Sequence, residues 1–541
     1  VKQIDTLAAE WPAITNYLYM TYCGSTDDIA FEPKRKAIVL GSGCYRIGSS
    51  VEFDWCCVNM GLALRADMDE VIMINCNPET VSTDFDVFGK LYFEEITTER
   101  VLDIADKEHP IGAVVSVGGQ TPNNIAASLE RGGLNILGTT VEDIDRAEDR
   151  SKFSAILDSL GIEQPKWRRV GSTEEAKEFA QEVGYPVLVR PSYVLSGSAM
   201  NVAFDEPHLT QCMVLAYNAS GDRSVVVSKF MTNAKEVDVD GVCDGKNVFI
   251  GGILEHVENA GRHSGDATMC FPSINLDEHT KEQLRDNTRR IASALKIKGP
   301  FNIQFMVKDR KIYVIECNLR ASRSMPFVSK SIGVNLMALA EVAIMGGKVK
   351  PGEGIPRRYG VKSPQFSFMP LEGADPVGGV EMESTGESAC FGDTFEEALI
   401  ESMMATGLMP PAPGDSVLLS IGKDKPKIIP LAAKLSRLGL KLYATDKTAR
   451  AIVASGLECE TLRKVSENVR PNILDYLSER KISMVFNIPQ INGDRPRQKF
   501  EDGYAIRRKA IEFRVPVITN LELAEAMVKS LESLTDRRIA L

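Results

Sequence analysis

A short stretch near position 310 gathers the residue types that phosphoryl chemistry requires: Gln304, Glu316, Asn318, Arg320 and Arg323. Glu316 and Asn318 are two apart in the apolar run that starts at Lys311, so on a strand they project from one face. Carboxylate and amide oxygens on one face are hard ligands suited to Mg²⁺, whose shell phosphate oxygens and water complete. Gln304 lies on the preceding segment, 301–307, which reads as the other arm of a hairpin. Arg320 continues the face toward an anion, where a guanidinium can pair bidentately. A solvated edge strand explains Glu316 alone. It explains less well a segment led by Val314 and Ile315 and closed by two arginines.

Other segments carry weaker signals. Arg190 ends the apolar run 185–190 and precedes the Ser/Gly-rich run 192–198. Small residues let backbone N–H groups approach phosphate oxygens, so this hairpin can fold over a triphosphate; it can equally be a plain turn. The segment 255–266 holds His256, Gly261 and His263 without a Cys or a third His, which favours hydrogen bonding around a nucleotide or small anion over metal ligation. The loop 41–48, GSGCYRIG, spaces its glycines as GxGxxxxG. The next strand leads to Asn75 and Asn77, with no acid for a ribose, so NAD and FAD are excluded and a tight turn facing a substrate is expected. Lys425, Thr445, Thr448, Lys464 and Asn487 fall near strand ends or in loops of the last section. Open α/β sheets bind ligands there. Thr445 can donate to a phosphate or simply cap a helix, and spacing alone favours the cap.

These residues need elements to hold them. With 541 residues the chain has room for three or four domains of ~100–200 residues each. Residues 1–35 read as a helical lead-in and linker. From 36 to 145, apolar strands at 36–41, 70–75 and 112–117 alternate with helical stretches, which predicts a doubly wound parallel sheet. Residues 146–350 read as an antiparallel-rich α+β unit. A Gly/Pro-rich connector spans 351–415. The last section, 416–541, alternates again and predicts a second, smaller doubly wound domain, with helix 427–438 carrying Ile428, Ile429, Leu431, Leu435 and Leu438 on one face. The fold class is therefore α/β and α+β, multidomain.

Lys and Arg total 63 against 74 Asp and Glu, a net charge of −11. An acidic chain gives no footprint for non-specific nucleic-acid or membrane binding, so neither is expected as a partner. The 11 cysteines form no CxxC pair and the 5 histidines are scattered. A zinc site or a disulfide framework is therefore not expected, and a cytoplasmic, reducing location is. No run of ~20 apolar residues predicts a membrane span. The first residue, Val1, lies inside an ordinary segment, which suggests a piece of a longer polypeptide.

Longer runs carry a resemblance. YRIGSSVEFD at 45–54, NPETVST at 77–83, RPSYVL at 190–195, HSGD at 263–266 and PFVSK at 326–330 resemble the C-terminal half of the carbamoyl phosphate synthetase large subunit; CNLRASR at 317–323 looks like its eukaryotic-type members. The resemblance implies a pre-ATP-grasp domain, an ATP-grasp domain and a methylglyoxal-synthase-like regulatory domain. It implies phosphorylation of carbamate by ATP with Mg²⁺ or Mn²⁺. Carried over by position, ATP contacts fall on Arg150, Arg190, Ser228, Lys229, Met231, Glu236, Gly261, His263 and Ser264, together with Gln304 and Glu316. Metal ligands fall on Gln304, Glu316 and Asn318, and the catalytic residues are Asn318, Arg320 and Arg323, of which the two arginines fall at the phosphoryl-acceptor site. Effector contacts fall on Lys425, Thr445, Thr448, Lys464 and Asn487, where Arg463 and Lys464 favour a phosphorylated effector. Implied partners are a bicarbonate-phosphorylating N-terminal half, a glutaminase and a small-molecule allosteric effector. Another ATP-grasp carboxylate ligase, or a mainly regulatory half, remains the alternative.

Overall fold

The structure is a computed structural model that describes all residues except 12–13, 48–50, 192–199, 220–224, 423, 468, 490–501 and 541, and the side chains of 536–540. The chain divides into two compact units, each built from several stretches. The first comprises Val1–Gln164, Val237–Leu254 and Phe271–Arg357; the second comprises Pro165–Glu236, Glu255–Cys270 and Arg358–Leu541. The span 146–350 therefore contributes to both.

In the first unit a six-stranded sheet runs in the order Lys2–Gln3, Tyr17–Tyr19, Lys90–Tyr92, Glu70–Ile74, Lys36–Leu40, Ala113–Val114. All neighbours are parallel except the first pair. Lys36–Leu40 is buried on both faces, as a central parallel strand requires. The strand order reverses beside it, so the loops leaving Lys36–Leu40 and Ala113–Val114 flank a topological switch point, where such sheets hold ligands. Gly118 is needed there: a Cβ would lie 2.3 Å from the Gly41 carbonyl oxygen. Residues 1–35 correct the expectation of a helical lead-in. Their described residues form no helix, and Lys2–Gln3 and Tyr17–Tyr19 extend the sheet instead. Leu18 supplies the physical reason, since it is fully buried between a half-buried and an exposed tyrosine, a strand alternation.

The same unit holds the hairpin Lys298–Lys308 and Lys311–Asn318. Its two-residue turn, Asp309 and Arg310, has φ 50° and 63°. Two left-handed residues in succession match the right-handed twist of the arms. Ile303, Phe305, Val314 and Cys317 enter the core from one face of this hairpin.

The second unit contains a four-stranded sheet in the order Trp167–Val170, Val225–Lys229, Val187–Pro191, Asn201–Ala203. Helices Thr173–Val183 and Glu206–Ala219 cover its apolar face. Its C-terminal part is a parallel sheet in the order Glu460–Leu462, Lys441–Thr445, Ser416–Ile421, Met484–Ile488, Val517–Ile518. That is the second doubly wound arrangement, with its switch point between Ser416–Ile421 and Met484–Ile488. Among the described residues no single helix is long and apolar enough to cross a membrane.

Candidate active site

A β-bulge decides where the hairpin's polar side chains point. From Lys308↔Lys311 to Phe305↔Val314 the register is regular; then Ile315 is skipped, and Gln304 faces Glu316 while Asn302 faces Asn318. The extra residue turns Glu316 and Asn318 onto the face of Gln304, as bulges beside active sites commonly do. Arg150 anchors this irregularity. It opens helix Arg150–Ser159, capped by Asp149, and its guanidinium donates to the Ile315 carbonyl at 2.7 Å and to Gln164 Oε1 at 3.2 Å. A charged donor thus serves the carbonyl of the residue that the ladder leaves out.

Past the bulge the polar groups form a chain. Asn318 Nδ2 donates to Glu316 Oε1 at 3.0 Å, and Arg320 donates to Asn318 Oδ1 at 3.3 Å, to Gln120 Oε1 at 2.8 Å and to the Ala321 carbonyl at 3.0 Å. Gln120 begins the helix after the switch-point loop, and both it and Asn123 donate to Glu148 Oε1. The Arg320 guanidinium also lies 5.9 Å from the Phe53 ring. Burial pulls its pKa below the ordinary arginine value, against the opposing pull of Glu316 and Glu148.

Arg323 differs. It is buried and donates to Glu52 Oε1 at 2.8 Å. Between the two arginines, the loop is pinned by Asp240, a fully buried carboxylate that accepts from Asn302 at 2.9 Å, Ser322 at 2.7 Å and Ser324 at 2.6 Å. Burial raises Asp240 to about 6, and the three donors hold it from rising further.

The donor set fits a metal that arrives with a phosphate. One carboxylate and two amide oxygens share a face, and among the described residues no cluster of three or more His, Cys, Asp or Glu could hold a metal alone.

The remaining nucleotide candidates belong to the second unit. Arg190 and Ser228 lie on one face of the small sheet, since Arg190 pairs with Val226 and Leu188 with Ser228. Lys229 pairs with Val187, on the face opposite Ser228, and its ammonium donates to the carbonyls of Gly184 and Tyr185 at 2.9 and 3.0 Å. Met231 follows this strand in a loop, and Glu236 is buried on Lys235–Asp244. Gly261 has φ +117°, and a Cβ would meet the Phe230 ring at 2.9 Å. His263 Nδ1 accepts from the Gly265 N–H at 3.0 Å, so the neutral ring carries its proton on Nε2. Ser264 starts the 3₁₀ turn Ser264–Asp266, which Asp266 ties to the backbone of Glu383 and Ser384. The run 192–198 lies outside the described residues.

The effector candidates gather at the carboxyl end of the C-terminal sheet. Thr445 Oγ1 donates to Thr448 Oγ1 at 3.2 Å, and Thr448 Oγ1 accepts from the Ile421 N–H. Thr445 occupies the N-cap position of helix Asp446–Ala454 without making a side-chain cap bond, so its hydroxyl is turned to the cluster instead. Asn487 pairs across the switch point with Ser420 and accepts from Arg507, which holds Asp375 bidentately at 2.6 Å. Lys425 donates to the carbonyls of Ile421 and Gly422. Burial lowers its pKa, and the neighbouring positive charges of Lys464 and Lys447 add to that. Lys464 lies 3.7 Å from Asp502.

Three family models match the chain: the carbamoyl phosphate synthase preATP-grasp domain at 33–146, the carbamoyl-phosphate synthase L chain ATP binding domain at 149–349 and the MGS-like domain at 427–519. The multifunctional protein pyr-3 of Neurospora crassa is 48% identical over 549 residues, covering 100% of this chain. The mitochondrial arginine-specific carbamoyl phosphate synthase large chain of the same organism is 47% identical over 550 residues, covering 98% of it. The chain belongs to the carbamoyl phosphate synthase large-chain family. This family member spans 30% of the length of pyr-3 and 47% of the arginine-specific chain.

Solved structures agree with the fold. The biotin carboxylase domain of Hydrogenobacter thermophilus 2-oxoglutarate carboxylase, complexed with MgADP, ADP and bicarbonate, has a TM-score of 0.57 at 17% identity, covering 69% of this chain and 89% of that one. Campylobacter jejuni biotin carboxylase, complexed with β-γ-ATP, gives 0.56 at 16%, covering 69% and 91%. The synthase-family chain therefore has the ATP-grasp architecture, with a preceding doubly wound domain and an MGS-like domain. Sequence reasoning missed Gln120, Glu148, Asp240 and the Glu52 partnership. Glu52 stands in the run 45–54 and Gln120 lies just past the apolar run 112–117, but their partners are 271 and 200 residues away, beyond any spacing rule.

Proposed function

We propose that this chain is the C-terminal synthetase half of a carbamoyl phosphate synthase, which phosphorylates carbamate with ATP and Mg²⁺ (or Mn²⁺). The observation that carries the proposal is the continuous face Gln304, Glu316, Asn318 and Arg320 created by the bulge at Ile315. The ATP binding family model and the MgADP and bicarbonate in the Hydrogenobacter carboxylase support the same substrate class.

Bound Mg²⁺ supplies charge neutralisation at the phosphate oxygens. Gln304, Glu316 and Asn318 are the residues to hold it. Arg320, oriented by Gln120 and Asn318, presents its remaining N–H groups to the acceptor carboxylate and the transferring phosphoryl group. Arg150 keeps Glu316 aimed by holding the bulge. His263, with its proton on Nε2, is a donor for a phosphate oxygen. Carbamate decomposes in water, so the transfer needs a site that excludes solvent.

The switch-point cluster of Lys425, Thr445, Thr448, Lys464 and Asn487 is proposed as the site of an anionic, phosphorylated effector, because hydroxyl donors and two ammonium groups meet there. The partners are a bicarbonate-phosphorylating N-terminal half and a glutaminase. The test is formation of ATP from ADP and carbamoyl phosphate by the purified chain with Mg²⁺. A rate no higher than the blank, with ADP bound, overturns the proposal.

A further inference from the structure

Two thiols meet where the loops after Lys36–Leu40 and Glu70–Ile74 come together. Cys44 Sγ and Cys76 Sγ are 3.5 Å apart; Cys44 is exposed and Cys76 half-buried. Hydrogen bonds tie the two segments together, with the Gly41 N–H on the Ile74 carbonyl at 2.9 Å and the Gly43 N–H on Asn75 Oδ1 at 3.0 Å. We propose that Cys44 and Cys76 are an oxidation site, at which a peroxide closes a reversible disulfide that ties the switch-point loop to the loop after the neighbouring strand.

Geometry favours a disulfide over a metal. The sulfurs are already in contact, and a disulfide needs them at about 2.05 Å, so closing it draws the two loops toward each other. A metal site needs further ligands, and among the described residues no group of three or more His, Cys, Asp or Glu is placed to hold one. The two thiols also have different surroundings. Burial, and then the hydrogen bond with Cys44, push Cys76 up to about 11, so it stays protonated at neutral pH. Cys44 is the thiol that solvent reaches.

The chemistry balances with hydrogen peroxide as oxidant. The Cys44 thiolate attacks one peroxide oxygen, the O–O bond breaks, and hydroxide leaves and takes a proton to become water. The Cys76 sulfur then attacks the sulfenic sulfur of Cys44. The S–O bond breaks and water leaves with the Cys76 proton. Two thiols are oxidised by two electrons, peroxide is reduced to two waters, and a dithiol reductant reverses the bond. The consequence lies two residues away. Arg46 donates to Thr121 Oγ1 at 3.1 Å, and Thr121 adjoins Gln120, the partner of Arg320. Closing the disulfide pulls on the loop that carries this contact.

The test treats the full chain with graded hydrogen peroxide, blocks residual thiols with iodoacetamide and maps the peptides by mass spectrometry. The expected product is a Cys44–Cys76 linked peptide at peroxide levels that leave the buried cysteines reduced. Dithiothreitol should remove it, and Cys44→Ser and Cys76→Ser should each abolish it. Oxidation of Cys44 to sulfinic acid without a linked peptide, or pairing of Cys44 with another cysteine, overturns the proposal. A second arm rests on the carbamoyl phosphate reading: oxidation should slow ATP formation about tenfold in the wild type and leave Cys76→Ser unaffected, below the ~10²-fold that a 1 Å misplacement can produce. Equal inhibition of both proteins refutes the coupling to the loop. The linked peptide is scored without any activity, so failure of the reaction itself is distinguishable from failure of the thiol pair.

Discussion

Replacing Arg323 with methionine should destabilise the protein by about 3–5 kcal/mol, the range found when one partner of a buried pair is removed. The two side chains are 8% and 5% exposed and 2.8 Å apart. At an effective dielectric of ~20 their attraction is about 6 kcal/mol. Desolvating each ion costs several kcal/mol, so the intact pair nets little, but removing Arg323 takes this attraction from Glu52 while its desolvation stays. Glu52 lies in the first turn of helix Val51–Leu64, whose N-terminus offsets a further 0.3–1 kcal/mol or so. That favours the lower end, about 3 kcal/mol. The double variant Arg323→Met with Glu52→Leu should recover to within about 1 kcal/mol of wild type, because both buried charges of the pair are removed together. Urea unfolding followed by circular dichroism on the full chain measures all of these. If Arg323→Met matches wild type, or the double variant is worse than the sum of the singles, the pair is not the buried bridge described. The recovered double variant also isolates chemistry: an acceptor-side role for Arg323 predicts that turnover stays low after stability returns.

Glu316→Gln should reduce phosphoryl transfer at least ~10²-fold, the scale of losing one electrostatic stabiliser; normal turnover at saturating Mg²⁺ would remove Glu316 from the metal. Asp240, raised by burial from 3.8 to about 6, favours the fold in its protonated form. That contribution is fully present below pH 3.8 and lost as pH rises through 6, a loss of about 3 kcal/mol at ~1.36 kcal/mol per unit. Asp240→Asn should flatten the slope of urea stability between pH 4.5 and 7.5, and an unchanged slope would contradict the assignment. Lys464→Ala or Thr445→Val should weaken a phosphorylated nucleotide effector in calorimetric titration while unregulated turnover stays intact; unchanged affinity in both variants places the effector elsewhere.

The elements with strong periodicity were legible before any coordinates. Lys36–Leu40 and Glu70–Ile74 are short apolar runs bounded by glycine or asparagine, and the expected strands fall on them. The Glu316/Asn318 spacing placed both on one face, as found. The bulge at Ile315 was not legible: an apolar residue in an apolar strand gives no sign that it will be skipped, and only its carbonyl bond to Arg150, 165 residues away, reveals why it is tolerated. Residues 1–35 misled because Tyr17, Leu18 and Tyr19 are too few to establish period two, and the partner strand Lys90–Tyr92 is far along the chain. The burial of Arg323 and its pairing with Glu52 were not legible, because sequence shows charge but not burial.

The most direct test of the central claim is Arg320→Ala in the reaction of ADP with carbamoyl phosphate. Arg320 is held by Asn318 and Gln120 on the face that carries Glu316, and the account puts it on the acceptor side of the metal. Turnover to ATP should fall by at least ~10²-fold, while ADP affinity by calorimetry should stay within about threefold of wild type. Loss of ADP binding with turnover retained at saturating ADP would assign the arginine to the nucleotide and contradict the carbamate-phosphorylating site described.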